Sequence, residues 1–368
     1  MWSNTTELES ALRVAGLGEW APRLAQLARR CIILVPGPIE EGANAHLGAC
    51  RLGGEPDMPP DIDWPTRPPF TGEAGYAGPY PADILLGRWH WLHRLYSTRR
   101  WKDALERWER SQQAERDVRN RTWPLSFIAQ VDFAEVHAAQ GLDGFPPAGR
   151  LLFFCDPFDW PWGKREDQSR MRVVFTELAA ERLERRRSPR EFDEPEARLL
   201  MPRGYVFKPR TLRPTAWLLP PPWRSRQLLE LEAENPNAWA YEGHVFSAYD
   251  QFWRDLYAQH PETYGPSGDM VHQVGGTAFS IQEPVEAECV KFVEHGPRRS
   301  GRQRDPEGYG PRKEQLTRAG EWQLVLQIDS DIQIGMEWGD VGRLYLCARK
   351  HDLTASRFDR CWMIMQCY

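Results

Sequence analysis

One ordered set of motifs occurs twice in this chain. Gly53-Gly54, Gln130-Val131-Asp132 and Gly149-Arg150-Leu151 return as Gly275-Gly276, Gln327-Ile328-Asp329 and Gly342-Arg343-Leu344. A repeated order over so long a span reads as internal duplication, so the chain forms either two similar lobes or two halves of one core. Each copy supplies a turn that suits glycine, an apolar strand ending in Gln-x-Asp, and a strand entered through Gly-Arg-Leu. The pattern predicts an internally duplicated α+β fold with an antiparallel, β-rich core and peripheral helices. Residues 1–30 read as N-terminal helices, 31–160 as the first repeat, 161–270 as a connecting α-containing segment and 271–368 as the second repeat.

Local signals fill in this frame. Thr6-x-x-Glu9 has the form of a capping box opening a helix, and a second helix is predicted from Trp20 to Arg30. Cys31-Ile32-Ile33-Leu34-Val35, stopped by Pro36-Gly37-Pro38, suits a buried strand. In the first Gln-x-Asp strand, alternation puts Phe127, Ala129, Val131 and Phe133 on one face, with Gln130 and Asp132 on the other. In the second, Leu324, Leu326 and Ile328 share a face and Gln327 and Asp329 oppose them. Charged residues from Glu177 to Arg190 suggest a helix, as does the segment Ser247 to His260, and Trp362 to Tyr368 suggests a closing strand. The run Gly296 to Lys313, rich in Arg, Gly and Pro, reads as a surface loop.

Between the glycine turn and the Gln-x-Asp strand the first copy is the longer, which places an insertion at residues 82–122. Leu85, Trp89, Leu92 and Tyr96, then Trp101, Leu105 and Trp108, form two helical stripes that part near Ser97-Thr98. From Arg88 to Arg121 there are ten Lys and Arg against five Asp and Glu, on a chain whose net charge is -5. If Trp89 is buried, Trp91 faces outward near Arg88 and Arg94, and exposed Trp among arginines has the composition of a protein-binding hot spot. Arg88, Trp91, Arg94, Arg99 and Arg100 are the candidate partner-binding residues. The blander reading packs Trp91 under a neighbouring loop and leaves the arginines to solubilise the helix.

The two Gln-x-Asp strands invite a second site. Gln130, Asp132, Gln327 and Asp329, with His272 before the second glycine pair, could line a cleft between the repeats and do acid–base work there. The competing reading is structural: Asp132-x-x-Glu135 would cap a short helix from Phe133, Asp329 and Asp331 would shape a turn, and His272 would hydrogen-bond the glycine turn. His90-x-x-His93 lacks a second pair of ligands, so no metal is expected. Phosphate-loop, nucleophile-elbow and dinucleotide motifs are absent, and neither a cofactor nor a catalytic residue is implied.

Composition narrows the function classes. A 41% hydrophobic, 12% aromatic chain with 17 Trp is not disordered, and its net negative charge disfavours nucleic acid as a partner. Seven cysteines, an odd number without a Cys-x-x-Cys pair, read as reduced and buried. No apolar run approaches membrane-spanning length and the N-terminus has no leader pattern, so a cytoplasmic protein without a membrane partner is expected.

Taken together, Leu52-Gly53-Gly54-Glu55-Pro56 with Trp64-Pro65, Phe127 to Asp132, Gly149 to Phe154, His272 to Gly276 and Trp338-Gly339-Asp340 resemble the YwqG-like family, a bacterial domain of unknown function. The resemblance runs from about residue 30 to 368, with the basic insertion and the long middle as departures. It implies a mixed α+β fold with antiparallel sheet and duplication, and no established catalytic residues. By association it also suggests a non-enzymatic immunity protein that neutralises a secreted toxin or effector by binding it. The alternative is a small-molecule-binding protein or enzyme using the cleft between the repeats.

Overall fold

Cys31 to Val35 are continuously apolar because both faces of their strand are covered. They lie in β1 (Arg29–Pro36) of a computed structural model that describes residues 2–39, 45–70, 99–156, 158, 161–201, 204–264, 270–294 and 313–368. Ile32 and Leu34 enter one core, while Cys31, Ile33 and Val35 enter another. Two helices precede the strand, α1 (Thr5–Leu12) and α2 (Ala21–Leu27). Asn4, rather than Thr6, caps α1 by accepting the Glu7 N–H. The second helix is shorter than predicted because β1 already begins at Arg29.

The later strands are β2 (Arg51–Leu52), β3 (Asp57–Met58), β4 (Thr66–Arg67), β5 (Trp123–Pro124), β6 (Ser126–Asp132), β7 (Arg150–Cys155) and β8 (Met171–Thr176). They continue as β9 (Glu184–Arg185), β10 (Arg210–Leu219), β11 (Gln273–Val274), β12 (Trp322–Asp329), β13 (Arg343–Arg349) and β14 (Trp362–Gln366). The later helices include α3 (Arg99–Arg119), α4 (Phe133–Ala139), α5 (Pro195–Leu200), α6 (Arg226–Glu234), α7 (His244–Gln259), α8 (Val285–Glu294), α9 (Lys313–Ala319) and α10 (Lys350–Thr354).

Ten strands form one antiparallel sheet in the order β14-β13-β12-β11-β1-β10-β2-β6-β7-β8. The class is therefore α+β with an antiparallel core. One hydrophobic cluster takes residues from every strand of this sheet, from Met363 and Met365 at one edge to Met171 and Val173 at the other, so the sheet curls around it. The two edges are tied by Gln168, whose amide accepts the Met363 N–H at 3.0 Å and donates to the Met363 carbonyl at 3.2 Å.

The outer face is covered in three patches. Helices α1, α2, α6 and α7 cover β1 and β10 through Leu8, Leu24, Leu228, Trp253 and their neighbours. Helices α8 and α9 cover β12 to β14 through Val285, Val290 and Ala319. Phe127, Leu152, Phe154 and Val174 of β6 to β8 pack under Met58 and Leu125, and beyond them Val118 of α3 and Ala197 of α5 meet Trp123 and Tyr205.

Two predicted patterns are corrected. Strict alternation fails in both Gln-x-Asp strands, because a bulge shifts the register between Phe127 and Ala129 and, at the matching place, between Leu324 and Leu326. Ile128 and Val325 thereby join the interior core, whereas Phe127 and Leu324 pack on the outer face. The charged run from Glu177 to Arg190 is not a helix. Its centre forms β9, which pairs with β3 and places Arg185 Nε 2.9 Å from the buried Asp57 carboxylate. The predicted helix near Ser247 is α7, and Trp362 does open a closing strand.

Candidate functional site

The two motif sets make the same bonds. Gly53 N–H donates to the Ile128 carbonyl and Gly275 N–H to the Val325 carbonyl, two residues before each Gln of the Gln-x-Asp strands. Both glycine pairs have positive φ, +54° and +73° in the first and +64° and +73° in the second. Arg51, two residues before the first pair, donates to the Glu55 carbonyl, while Gln273 in the same place donates to the Thr277 carbonyl at 2.9 Å.

Each Gln binds the loop that flanks its turn. The Gln130 amide accepts the Asp57 N–H at 3.0 Å and donates to the Ala49 carbonyl at 2.9 Å. Correspondingly, Gln327 accepts the Phe279 N–H at 3.0 Å and donates to the Val271 carbonyl at 2.9 Å. Each Asp pairs with the Arg of its own Gly-Arg-Leu: Asp132 with Arg150 at 2.8 Å, and Asp329 with Arg343 at 2.5 Å. Asp132 also caps α4 through the Ala134 N–H, and Asp331 caps the 3-10 turn at Ile332–Ile334.

These polar groups are thus occupied by structure. Burial pushes Asp329 up to about 6, against Arg343 and the Val271 and Ser330 N–H donors, so it is ionised at neutral pH. Asp132 and Asp329 lie on strands separated by β11, β1, β10 and β2, each engaged within its own half. His272 is fully buried, and its Nδ1 accepts the Asp329 N–H at 3.1 Å, so it serves the strand instead of the glycine turn. Burial lowers it to about 4 and keeps it neutral. In the first half the Cys50 thiol takes the same place and accepts the Asp132 N–H.

Of the partner-binding candidates, Arg88, Trp91 and Arg94 lie outside the described residues, as do His90 and His93. Arg99 and Arg100 open α3. This helix buries Ala114, Val118 and Arg119 near its C-terminal end, while Glu106, Arg107, Glu109 and Arg110 are exposed.

A cavity is present, and residues other than these line it. A cavity of about 430 Å³ opens where Leu142 and Phe145, in the loop after α4 of the first half, face the turn Gly276-Thr277 and Trp322 at the start of β12. This size lies within the usual range for small-ligand sites, ~300–1,000 Å³. The start of β1 contributes Arg29 and Arg30, α6 Arg226, α8 Glu286 and α10 Lys350. The close meeting of halves rests on glycine: a Cβ at Gly275 would stand 2.9 Å from Leu142 Cδ1. No linear signal marks these residues, apart from Thr277 standing directly after the glycine pair.

A family model for a domain of unknown function, DUF1963, matches residues 50–367. The chain belongs to the DUF1963 family. The match begins at Cys50, just before the first glycine turn, and so takes in both motif sets of this DUF1963 protein. A search of curated proteins finds no match. Among its described residues, no helix is long and apolar enough to cross a membrane, and no group of His, Cys, Asp and Glu has the arrangement of a metal site.

Proposed function

We propose that this DUF1963 protein is a binding protein whose small-molecule ligand enters the cavity between its two halves. The observation that carries this reading is the joint wall: the cavity is built by the first half's 141–145 loop, the start of β1 and the second half's turn and strand, so a ligand there would touch both. We also infer that the halves descend from a duplication, because their turns, glutamines, ion pairs and bulges correspond one to one. The narrower YwqG-like membership and a cytoplasmic location belong to the same proposal.

A thermal-shift screen of a metabolite collection, run beside a Gln323→Trp variant that fills the cavity, tests the reading. Compounds that raise the melting temperature of the wild type and leave the variant unmoved support it. A collection that moves neither protein, or moves both alike, counts against it.

A second reading is favoured by α3. Glu106, Arg107, Glu109 and Arg110 stand exposed on a helix that buries Ala114, Val118 and Arg119, a suitable platform for a protein partner. On this reading the protein is an immunity protein that occludes a toxin or effector through the insertion. Affinity capture with the wild type and a Trp91→Ala, Arg94→Glu variant tests it: a stoichiometric partner lost by the variant supports the reading, and a partner kept by both opposes it.

A further inference from the structure

Resting on the cavity reading, we propose that the ligand is a small organic anion, a carboxylate or phosphate monoester on an apolar or aromatic body. Cations outnumber carboxylates on the cavity wall, and that balance carries the argument.

That balance selects the sign of the ligand's charge. Arg29 donates to the Ala28 carbonyl, and Arg30 to the Gln140 side chain and the Ser3 carbonyl, so these bonds leave both cationic charges uncompensated. Lys350 adds a third cation, and Arg226, which pairs with Glu230 at 2.8 Å, a fourth. Against these four the wall carries two carboxylates, Asp143 and Glu286. Burial raises Glu286 and weakens its claim on a negative charge. Leu142, Phe145 and the Trp322 ring supply apolar surface for the body of the ligand.

Titration calorimetry with phenyl phosphate, benzoate, benzamide and benzylamine separates charge from shape, since the four share one ring. Phenyl phosphate or benzoate should bind at least ~10-fold more tightly than benzamide. Arg30→Gln and Lys350→Gln, at exposed positions that do not endanger folding, should each weaken the anion at least ~3-fold without affecting benzamide. Equal or tighter binding of benzamide or benzylamine overturns the anion assignment while leaving a ligand cavity in place. Anion binding that both variants retain places the anion elsewhere and overturns it too. Failure of all four probes to bind at ~10 mM removes the cavity reading as well.

Discussion

Replacing Gln327 by Leu should cost this protein about 3 kcal/mol of stability, and the reason lies in what the change strands. The Gln327 amide is the partner of the Phe279 N–H at 3.0 Å and of the Val271 carbonyl at 2.9 Å, and all three residues are buried. Leucine is similar in bulk but answers neither group. Each buried backbone group left unmade costs ~1–3 kcal/mol, and the better burial of a leucine side chain returns ~1–2 kcal/mol of that sum. Gln130→Leu should cost at least as much, because it strands the Asp57 N–H and the Ala49 carbonyl and also removes a donor from the Asp57 carboxylate. Guanidinium unfolding followed by far-ultraviolet dichroism and tryptophan fluorescence measures both, with coincident transitions as the condition for reading free energies. Gln26→Leu on the exposed side of α2 is the control, with an expected change within ~0.5 kcal/mol. A loss below ~1 kcal/mol at either buried glutamine would refute the reasoning that these amides hold the two turns to their strands.

Three further outcomes follow from the same geometry. Gly276→Ala should lower stability by ~2–4 kcal/mol, because the position has φ +73° and the new Cβ would stand 2.5 Å from Cys31 Cβ; a denaturation midpoint like that of the wild type contradicts this. His272, lowered by burial from 6.5 to about 4, binds its proton less readily when folded, so its contribution is complete above pH 6.5 and is lost as pH falls towards 4. The wild type should therefore lose up to ~3 kcal/mol more than His272→Gln across that window, and parallel pH profiles would exclude it. Glu288, buried beside Gln366 and raised by that burial to about 7, opposes folding when ionised, so Glu288→Gln should stabilise the protein at pH 8 by up to ~3 kcal/mol and by less at pH 5. A gain of equal size at both pH values would show that the carboxylate charge is not the cause.

The parts of this fold that could be read from the sequence are those set by local backbone chemistry. Paired glycines mark positive φ, Gln-x-Asp marks a strand that ends in a helix cap or turn, and Gly-Arg-Leu marks the partner strand carrying the cation. Periodicity misled at the bulges, where one extra residue turned Ile128 and Val325 inward and Phe127 and Leu324 outward. Composition misled at Glu184-Arg185, where a charged run that suits a helix is held as a strand by the buried Asp57. A cleft between the halves was expected, yet Gln130, Asp132, Gln327, Asp329 and His272 are all bonded within their own halves. Arg29, Arg30, Arg226, Thr277, Trp322 and Lys350 are scattered along the chain with no common spacing, and the crossing of β1 between β10 and β11 is what gathers them.

The most direct test of the central claim is a crystal structure of the protein soaked in phenyl phosphate. The account predicts the phosphate in the cavity against Arg30 and Lys350, with its ring against Phe145 or Leu142. A phosphate bound at another surface, with the cavity holding only water, would contradict it.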